Sequence, residues 1–204
     1  MNLKEEEYDA NKSYHEIIYS TDWEKNKPKE YFEYRQKWVD YPKNKFLSEF
    51  PLHLDIETTN VCNLKCPMCP RTILLEKHQF SAQGYMSNDD YKKMIDQAVE
   101  NGVYSIKLNY LGEPLLHKDV VWQVKYAKEA GIIDVMMNSN GSMLNKKIGE
   151  DLLEAGLDKL FISFDSISPD VYEIQRKGTS LGTVVNNLHE FLKIRNEKYP
   201  NTHV

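Results

Sequence analysis

Three cysteines lie close together in one short segment, and they are all the cysteines of the 204-residue chain. Cys62, Cys66 and Cys69 have the spacing C-x-x-x-C-x-x-C. Three thiols in one loop are not a typical disulfide arrangement. Three thiolates can instead hold an iron–sulfur cluster and leave one iron with a vacant coordination position. The segment therefore predicts a metal centre.

Two other uses of these cysteines compete with a cluster. Cysteine is often buried as a small hydrophobic residue, but Asn63, Lys65 and Pro67 separate these thiols, as in a loop. A structural zinc ion takes four ligands, and His78 is the nearest histidine for a Cys₃His set. Because the gap from Cys69 to His78 is not a usual finger spacing, the pattern favours iron–sulfur over zinc and leaves both open.

Further motifs follow the cysteines in the order found in the radical S-adenosylmethionine (SAM) superfamily. Leu111–Pro114 resembles that family's Gly-Glu-Pro motif, and Asn138–Gly141 resembles the end of its third strand. Ser163–Asp165 and Tyr172–Arg176 fall where the family has its fourth strand and a following arginine. The Cys-Pro-Met-Cys pattern is similar to the core domain of SPASM-type members.

The resemblance implies a 4Fe–4S cluster on Cys62, Cys66 and Cys69, with SAM bound to the open iron through its amino and carboxylate groups. Reductive cleavage of SAM would yield methionine and a 5′-deoxyadenosyl radical that abstracts a hydrogen atom. The resemblance also implies an electron donor such as flavodoxin or ferredoxin. The protein would supply position and the exclusion of water, because the difficult chemistry belongs to the cofactors.

The other motif residues are expected to hold SAM. By the resemblance, Gly112, Glu113 and Pro114 hold its methionine amino group, and Gly112 lets backbone approach closely. Ser163 and Arg176 would contact the ribose hydroxyls and the carboxylate, which the fork of an arginine can bind in two places. The simpler alternatives are a strand-ending turn for Gly-Glu-Pro and a solvated surface residue for Arg176.

Three more residues belong to this predicted site. Asn140 precedes a glycine and is typical of a turn, with a ligand role implied by the resemblance. Met68 stands where many relatives carry an aromatic residue, and its thioether is expected to cover the adenine or the cluster. Asn63 is expected to stabilise the loop through hydrogen bonds from its side chain to backbone.

A repeated strand–helix pattern must position these motifs. Alternation of apolar and polar residues predicts strands over Leu52–Glu57, Ser105–Leu111, Asp134–Asn140 and Lys159–Asp165. Apolar stripes and capping residues predict helices over Ser87–Gly102, Asp119–Ala130, Asn145–Ala155 and Gly182–Arg195. Strands that alternate with such helices predict parallel pairing with right-handed crossovers.

The polar face of each predicted strand selects the shape of the sheet. A doubly wound sheet buries both faces and has continuous apolar strands. Here the polar residues are expected to line a wet or ligand-filled interior. They are His53, Glu57, Lys107, Asn109, Asn138, Ser163 and Asp165. The pattern predicts an α/β fold with a curved, partly open barrel, and the resemblance implies a partial (β/α)₆ barrel.

We expect a helical N-terminal extension over residues 1–50 and a core domain over residues 51–204. The first segment is too rich in aromatic residues for plain disorder and predicts a helix near Pro28–Val39. After the last predicted helix, Tyr199–Val204 resembles the first residues of a fifth strand. The barrel is therefore expected to be truncated after about four β/α units, with its C-terminal part missing.

Composition narrows the class of protein. The net charge of −5 counts against nucleic acid as the main partner, since nucleic-acid binding leaves a basic face. No apolar run approaches the roughly 20 residues of a membrane span, and the first residues are too charged for a signal peptide. A cytoplasmic location is expected, because a reduced compartment suits free thiolates.

The predicted function is that of a radical SAM enzyme acting on a peptide or a sugar-like small molecule. Two alternatives stay open. One is a non-catalytic zinc or iron–sulfur module that keeps part of the barrel. The other is an RNA-modifying member of the family, against which the acidic charge counts.

Overall fold

Four parallel strands form one sheet in the computed structural model, which describes residues 22–79 and 83–204. The strands are β1 (His53–Asp55), β2 (Ser105–Lys107), β3 (Asp134–Ser139) and β4 (Lys159–Ile162). They pair in the order β1-β2-β3-β4. Each lies within its predicted segment and ends earlier, because the motif residues leave the strands for loops. The predicted partial β/α barrel is confirmed.

Seven α-helices accompany the sheet in the described part of the chain. They are α1 (Lys29–Lys43), α2 (Pro70–Glu76), α3 (Asn88–Glu100), α4 (Val120–Ala130), α5 (Lys146–Glu154), α6 (Pro169–Gln175) and α7 (Leu181–Lys198). The sequence did not predict α2 and α6. Each has seven residues, the first of which is a proline, and seven residues are too few for an apolar stripe to show its period.

Local signals explain where the predicted helices begin and end. Ser87 Oγ accepts a hydrogen bond from Asp90 N at 3.1 Å at the start of α3. Asn145 Oδ1 accepts one from Ile148 N at 3.0 Å at the start of α5. At the end of α4, Gly131 has a φ of 113°, a left-handed conformation that glycine adopts without strain.

Helices α3, α4, α5 and α7 cover one face of the sheet and form the main core with it. Most apolar residues that the strands present to this face are completely buried, and Leu54 and Ile162 are partly buried. The completely buried residues are Ile106, Val135, Met137 and Leu160, together with Leu108 directly after β2. Each buried side chain of this kind contributes about 1.5–3 kcal/mol. The predicted alternation therefore holds within the strands and fails beyond their ends, where Tyr110 and Phe164 are exposed.

On the other face, helix α1 packs against the amino ends of β1 and β2. His53 Nδ1 lies 2.7 Å from Ser105 Oγ, which donates a hydrogen bond to the Tyr34 hydroxyl at 2.9 Å. The Tyr34 ring stacks on Tyr104 with 5.7 Å between centroids. Burial lowers the pKa of His53. His53 therefore packs beneath α1 rather than lining a ligand-filled interior.

A buried ion pair joins β3 and β4 at the same end of the sheet. Lys159 and Asp134 pair with side chains 7% and 0% exposed. Lys159 Nζ also lies 5.2 Å and 5.1 Å from the ring centroids of Trp23 and Tyr31, within the range of cation–π attraction. The aromatic residues that precede the core thus cover a pair of charges.

Beyond α7, the chain returns to the open edge of β4. His203 forms an isolated parallel bridge with Lys159, and Leu160 N donates to His203 O at 2.9 Å. The start of a fifth strand predicted within Tyr199–Val204 therefore has its first pairing. The division into residues 1–50 and 51–204 stays a prediction, and residues 1–21 lie outside the described residues.

None of the helices in the described ranges combines the length and the apolar character that crossing a membrane requires.

We expect Lys159→Met to lower the free energy of unfolding by about 3 kcal/mol, because the Asp134 carboxylate would stay buried without its counter-charge. Urea unfolding followed by circular dichroism measures the loss. Lys147→Met is the matched control, since Lys147 Nζ pairs with Asp151 at 2.9 Å on the surface of α5, where water screens the two charges and loss of the pair should have little effect. Equal losses in the two variants would contradict the prediction.

Candidate metal centre

The three cysteines lie in the loop between β1 and α2, at the carboxyl end of the sheet. Cys66 is 7% exposed, Cys62 and Cys69 are partly exposed, and all three are free thiols. Cys69 N donates to Cys66 O at 3.1 Å. Burial raises the pKa of the Cys62 and Cys66 thiols. Metal binding must therefore displace protons from these sulfurs.

The donor set fits a cluster better than a single ion. Among residues 22–79 and 83–204, no three His, Cys, Asp or Glu side chains converge on a point where one metal ion could bind. Zinc needs ligands within about 2.3 Å of one centre, so the Cys₃His alternative with His78 is not formed here. In a four-iron cluster each thiolate binds a different iron, and thiols spread along a loop suit that arrangement.

Asn140, just after β3, contacts the first cysteine. Its Nδ2 donates to Asn63 Oδ1 at 3.0 Å and lies 4.0 Å from Cys62 Sγ. Leu64 N lies 3.4 Å from the same sulfur. Hydrogen bonds of this kind favour the thiolate form that a metal requires. Asn140 therefore lies beside the predicted cluster, and its contact with SAM stays a prediction.

Asn63 joins the loop to the end of β3 in a way that the sequence did not predict. Its Nδ2 donates to Ser142 Oγ at 2.8 Å, and its Oδ1 accepts the bond from Asn140. These partners are side chains, whereas backbone partners were expected. The correction arises because β3 brings Ser142 against the loop, which spacing along the chain cannot show.

Arg176 contacts the second cysteine from the segment after α6. Its Nη1 lies 3.9 Å from Cys66 Sγ, while its Nε and Nη2 donate to the two carboxylate oxygens of Asp165 at 2.5 Å and 3.0 Å. The side chain is 19% exposed. The guanidinium is therefore ion-paired and mostly shielded from solvent, and contact with the SAM carboxylate stays a prediction.

Glu113 links the Gly-Glu-Pro turn to the end of β3. It is 2% exposed. Its Oε1 accepts hydrogen bonds from Ser139 Oγ at 2.8 Å and Leu115 N at 3.1 Å, and its Oε2 accepts one from Asn140 N at 2.8 Å. Burial raises its pKa, and these hydrogen bonds oppose the shift. The visible role of Glu113 is to connect two loops, and its contact with SAM stays a prediction.

Gly112 lies directly against the cysteine loop. A Cβ atom at this position would meet Thr59 O at 1.9 Å and Asn60 Cα at 2.9 Å. The expected close approach is present, and its partner in this structure is protein backbone. Pro114 is buried and begins a short 3₁₀ helix, Pro114–Leu116, so the turn is stiff as well as tightly packed.

Met68 and Ser163 also lie at the carboxyl ends of the strands. Met68 is 47% exposed on the cysteine loop. Ser163 follows β4, and its N donates to Ser139 O at 2.9 Å. The structure thus places both residues on the same side of the sheet as the cysteines. Their contacts with SAM stay predictions.

Several residues predicted to face the interior have partners within the protein. Lys107 Nζ pairs with Asp55 Oδ1 at 2.9 Å, and Glu57 Oε1 accepts a hydrogen bond from Leu111 N at 2.8 Å. Asn109 differs, because its Oδ1 is buried without a hydrogen-bond partner among the described residues. Lys107 therefore forms an ion pair with the neighbouring strand β1.

Arg71 is a structural residue of the site that the sequence did not single out. It is 4% exposed, its Nε donates to Asn60 O at 2.7 Å, and its Nη2 donates to Gln83 Oε1 at 2.5 Å. The side chain thus fixes α2 against the cysteine loop. Only its position directly after Cys69-Pro70 could have drawn attention to it.

Gly112→Ala should prevent assembly of the metal centre, because the added methyl group overlaps the Thr59 carbonyl and must displace the cysteine loop. Iron and sulfide content after anaerobic reconstitution measures this. Gly182→Ala is the matched control, since a Cβ there meets nothing within 4 Å and alanine suits the helix better. Full iron content in Gly112→Ala would contradict the proposed role of this contact.

Comparison with known proteins identifies the family. The sequence profile of the Radical SAM superfamily matches residues 56–202. A GTP 3′,8-cyclase of Alkaliphilus metalliredigens is 32% identical over 144 residues, which cover 70% of this chain and 43% of the relative. That of Limosilactobacillus fermentum is 36% identical over 138 residues, covering 67% and 40%. The chain thus spans less than half the length of these relatives.

Solved structures support the same fold. The Streptococcus suis protein SuiB, crystallised with S-adenosylmethionine, superposes with a TM-score of 0.59 at 19% identity, covering 91% of this chain and 38% of SuiB. The protein anSMEcpe with bound AdoMet gives 0.57 at 21% identity, covering 71% and 42%. Since the profile spans most of the sequence, this chain belongs to the Radical SAM superfamily.

Proposed function

We propose that this chain cleaves SAM reductively at a cluster held by Cys62, Cys66 and Cys69, and that the resulting radical abstracts hydrogen from a substrate. The superfamily to which it belongs uses a 4Fe–4S cluster and SAM. The observation that carries the proposal is the convergence of Gly112, Asn140 and Arg176 on the cysteine loop. Residues far apart in sequence thus support the same short segment.

Cys62, Cys66 and Cys69 would hold a cluster that, once reduced by an external donor, passes one electron to SAM, so that its sulfonium carbon–sulfur bond breaks into methionine and a 5′-deoxyadenosyl radical. The protein's own residues prepare the site. The three cysteines lose their protons when they become ligands. Asn140 and Arg176 hold polar hydrogens towards Cys62 and Cys66, which stabilises the charged sulfurs in their buried positions.

The remaining motif residues are proposed to bind SAM. Gly112, Glu113 and Pro114 would hold its amino group, through a turn that packing on the cysteine loop keeps rigid. Ser163 and Arg176 would contact the ribose and the carboxylate. Asn140 and Met68 would complete the site beside the cluster. Their common position at the carboxyl ends of the strands supports this assignment.

A one-electron donor such as a flavodoxin or a ferredoxin is the proposed partner, because each cleavage consumes one electron. A reduced compartment, the cytoplasm, suits this partner and the free thiols.

The substrate proposal has two candidates. The overall pattern of motifs resembles the branch of the superfamily that modifies peptides or sugar-like metabolites, which makes such a compound the first candidate. The relatives named GTP 3′,8-cyclase favour a purine nucleotide instead. The two candidates differ in the compound that should raise the rate at which 5′-deoxyadenosine forms.

Reconstituted protein reduced with dithionite should convert SAM into 5′-deoxyadenosine, and Cys66→Ala should form about a hundredfold less, since the cluster loses a ligand. Chromatography with mass detection measures the product. No product from wild-type protein with a full four-iron cluster would overturn the proposal and favour the non-catalytic module. Bound zinc in place of iron would overturn it as well.

Addition of GTP, of peptides or of sugar nucleotides to the same reaction tests the substrate class. A several-fold rise in 5′-deoxyadenosine with a new product from GTP would support the nucleotide candidate. The same rise with a peptide or a sugar and none with GTP would support the first candidate. RNA that alone raised the rate would contradict both.

A further inference from the structure

Asp165 determines which nitrogen of Arg176 faces the cysteine loop. The carboxylate accepts hydrogen bonds from Nε and Nη2 at 2.5 Å and 3.0 Å. The remaining nitrogen, Nη1, lies 3.9 Å from Cys66 Sγ. Two bonds to one carboxylate fix the plane of a guanidinium as well as its position. The direction of Nη1 towards the sulfur is therefore a consequence of the pair.

The backbone around Arg176 is held against the same loop. Arg176 N donates to Tyr172 O at 2.7 Å, and Tyr172 is completely buried. Lys65 N donates to Lys177 O at 2.8 Å. A Cβ at Gly178 would lie 3.2 Å from Asn63 O. The segment after α6 thus packs on the cysteine loop, so the contact from Arg176 to Cys66 belongs to an extended interface.

The pair is partly shielded from water. The side chains of Arg176 and Asp165 are 19% and 31% exposed. Charges in such positions are screened less by salt than charges on an open surface. The guanidinium contacts Cys66 Sγ through Nη1, whereas the carboxylate binds the other two nitrogens, Nε and Nη2. The net effect at the sulfur is therefore that of the nearer positive charge.

We propose that Asp165 is a positioning residue that holds Arg176 on Cys66, and that Arg176 thereby makes the cluster easier to reduce. The inference rests on the proposed placement of the cluster at the three cysteines. Reduction adds negative charge, and a cationic donor on a ligand sulfur stabilises the reduced state more than the oxidised state. Nη1 carries two hydrogens. One can point to Cys66 Sγ, and the other remains free to bind a second acceptor such as the SAM carboxylate.

The test is a potentiometric titration of the reconstituted cluster followed by electron paramagnetic resonance, in the absence of SAM. Arg176→Gln should shift the equilibrium about tenfold towards the oxidised cluster, which is 59 mV for a one-electron couple. Iron and sulfide content is measured for each variant. An unchanged potential with full iron content would overturn the inference.

The Asp165→Asn variant distinguishes a positioning role from a simple charge effect, because the two predict shifts of the reduction potential in opposite directions. If Asp165 acted only as a nearby negative charge, its removal would make reduction easier. We expect reduction to become several-fold less favourable. An amide has one acceptor oxygen and cannot accept both guanidinium hydrogen bonds, so Arg176 would move away from Cys66 Sγ. Easier reduction in Asp165→Asn would overturn the positioning role.

Further variants complete the design. Asp170→Asn makes the same charge change at an exposed position of α6, and a shift equal to that of Asp165→Asn would overturn the inference. Asp165→Asn combined with Arg176→Gln should equal Arg176→Gln alone, since the first residue acts through the second. If Arg176→Gln does not fold, Arg176→Lys replaces it in the test. Lysine keeps the charge but cannot make two hydrogen bonds to Asp165, so this variant should also lower the reduction potential.

The outcomes separate this inference from the proposed function. Absence of iron from the wild-type protein would overturn both. An assembled cluster with the same potential in wild type and variants would overturn the role of Arg176 and leave the cleavage of SAM to its own assay.

Discussion

The contact between the Gly-Glu-Pro turn and the cysteine loop is the constraint on which the site depends. The Gly112 backbone touches the Thr59 carbonyl so closely that no side chain fits between them. The neighbouring Glu113 then reaches the end of β3 through Ser139 and Asn140. One tight contact and one buried carboxylate thus keep the cysteine segment aligned with two strands.

The two ends of the sheet have different physical roles. At the amino end, Trp23 and the α1 residue Tyr31 cover the buried Lys159–Asp134 pair. At the carboxyl end, the polar side chains lie on loops around Cys62 and Cys66. The amino end thus holds an enclosed ion pair, whereas the carboxyl end holds three free thiols, two of which are partly exposed.

Much of the fold follows from local patterns, and the exceptions have physical causes. Strand alternation and capping residues such as Ser87 predict the elements correctly, because period and hydrogen-bond chemistry are local. The short helices α2 and α6 escape prediction, since two turns cannot show an apolar stripe. His53 was expected in the interior, but α1 covers it. The alternation of residues in β1 cannot show which distant segment will pack on the strand.

The sequence by itself determined the cysteine spacing, the order of the motifs and the α/β class, because these depend on residue type and on distance along the chain. Only the tertiary structure decided that Asn140 lies on Cys62, that Arg176 lies on Cys66, and that Asp165 orients Arg176. All three contacts join residues more than ten positions apart in the sequence, and Arg176 and Cys66 are more than a hundred positions apart. They exist because parallel strands bring their carboxyl ends to one edge of the sheet.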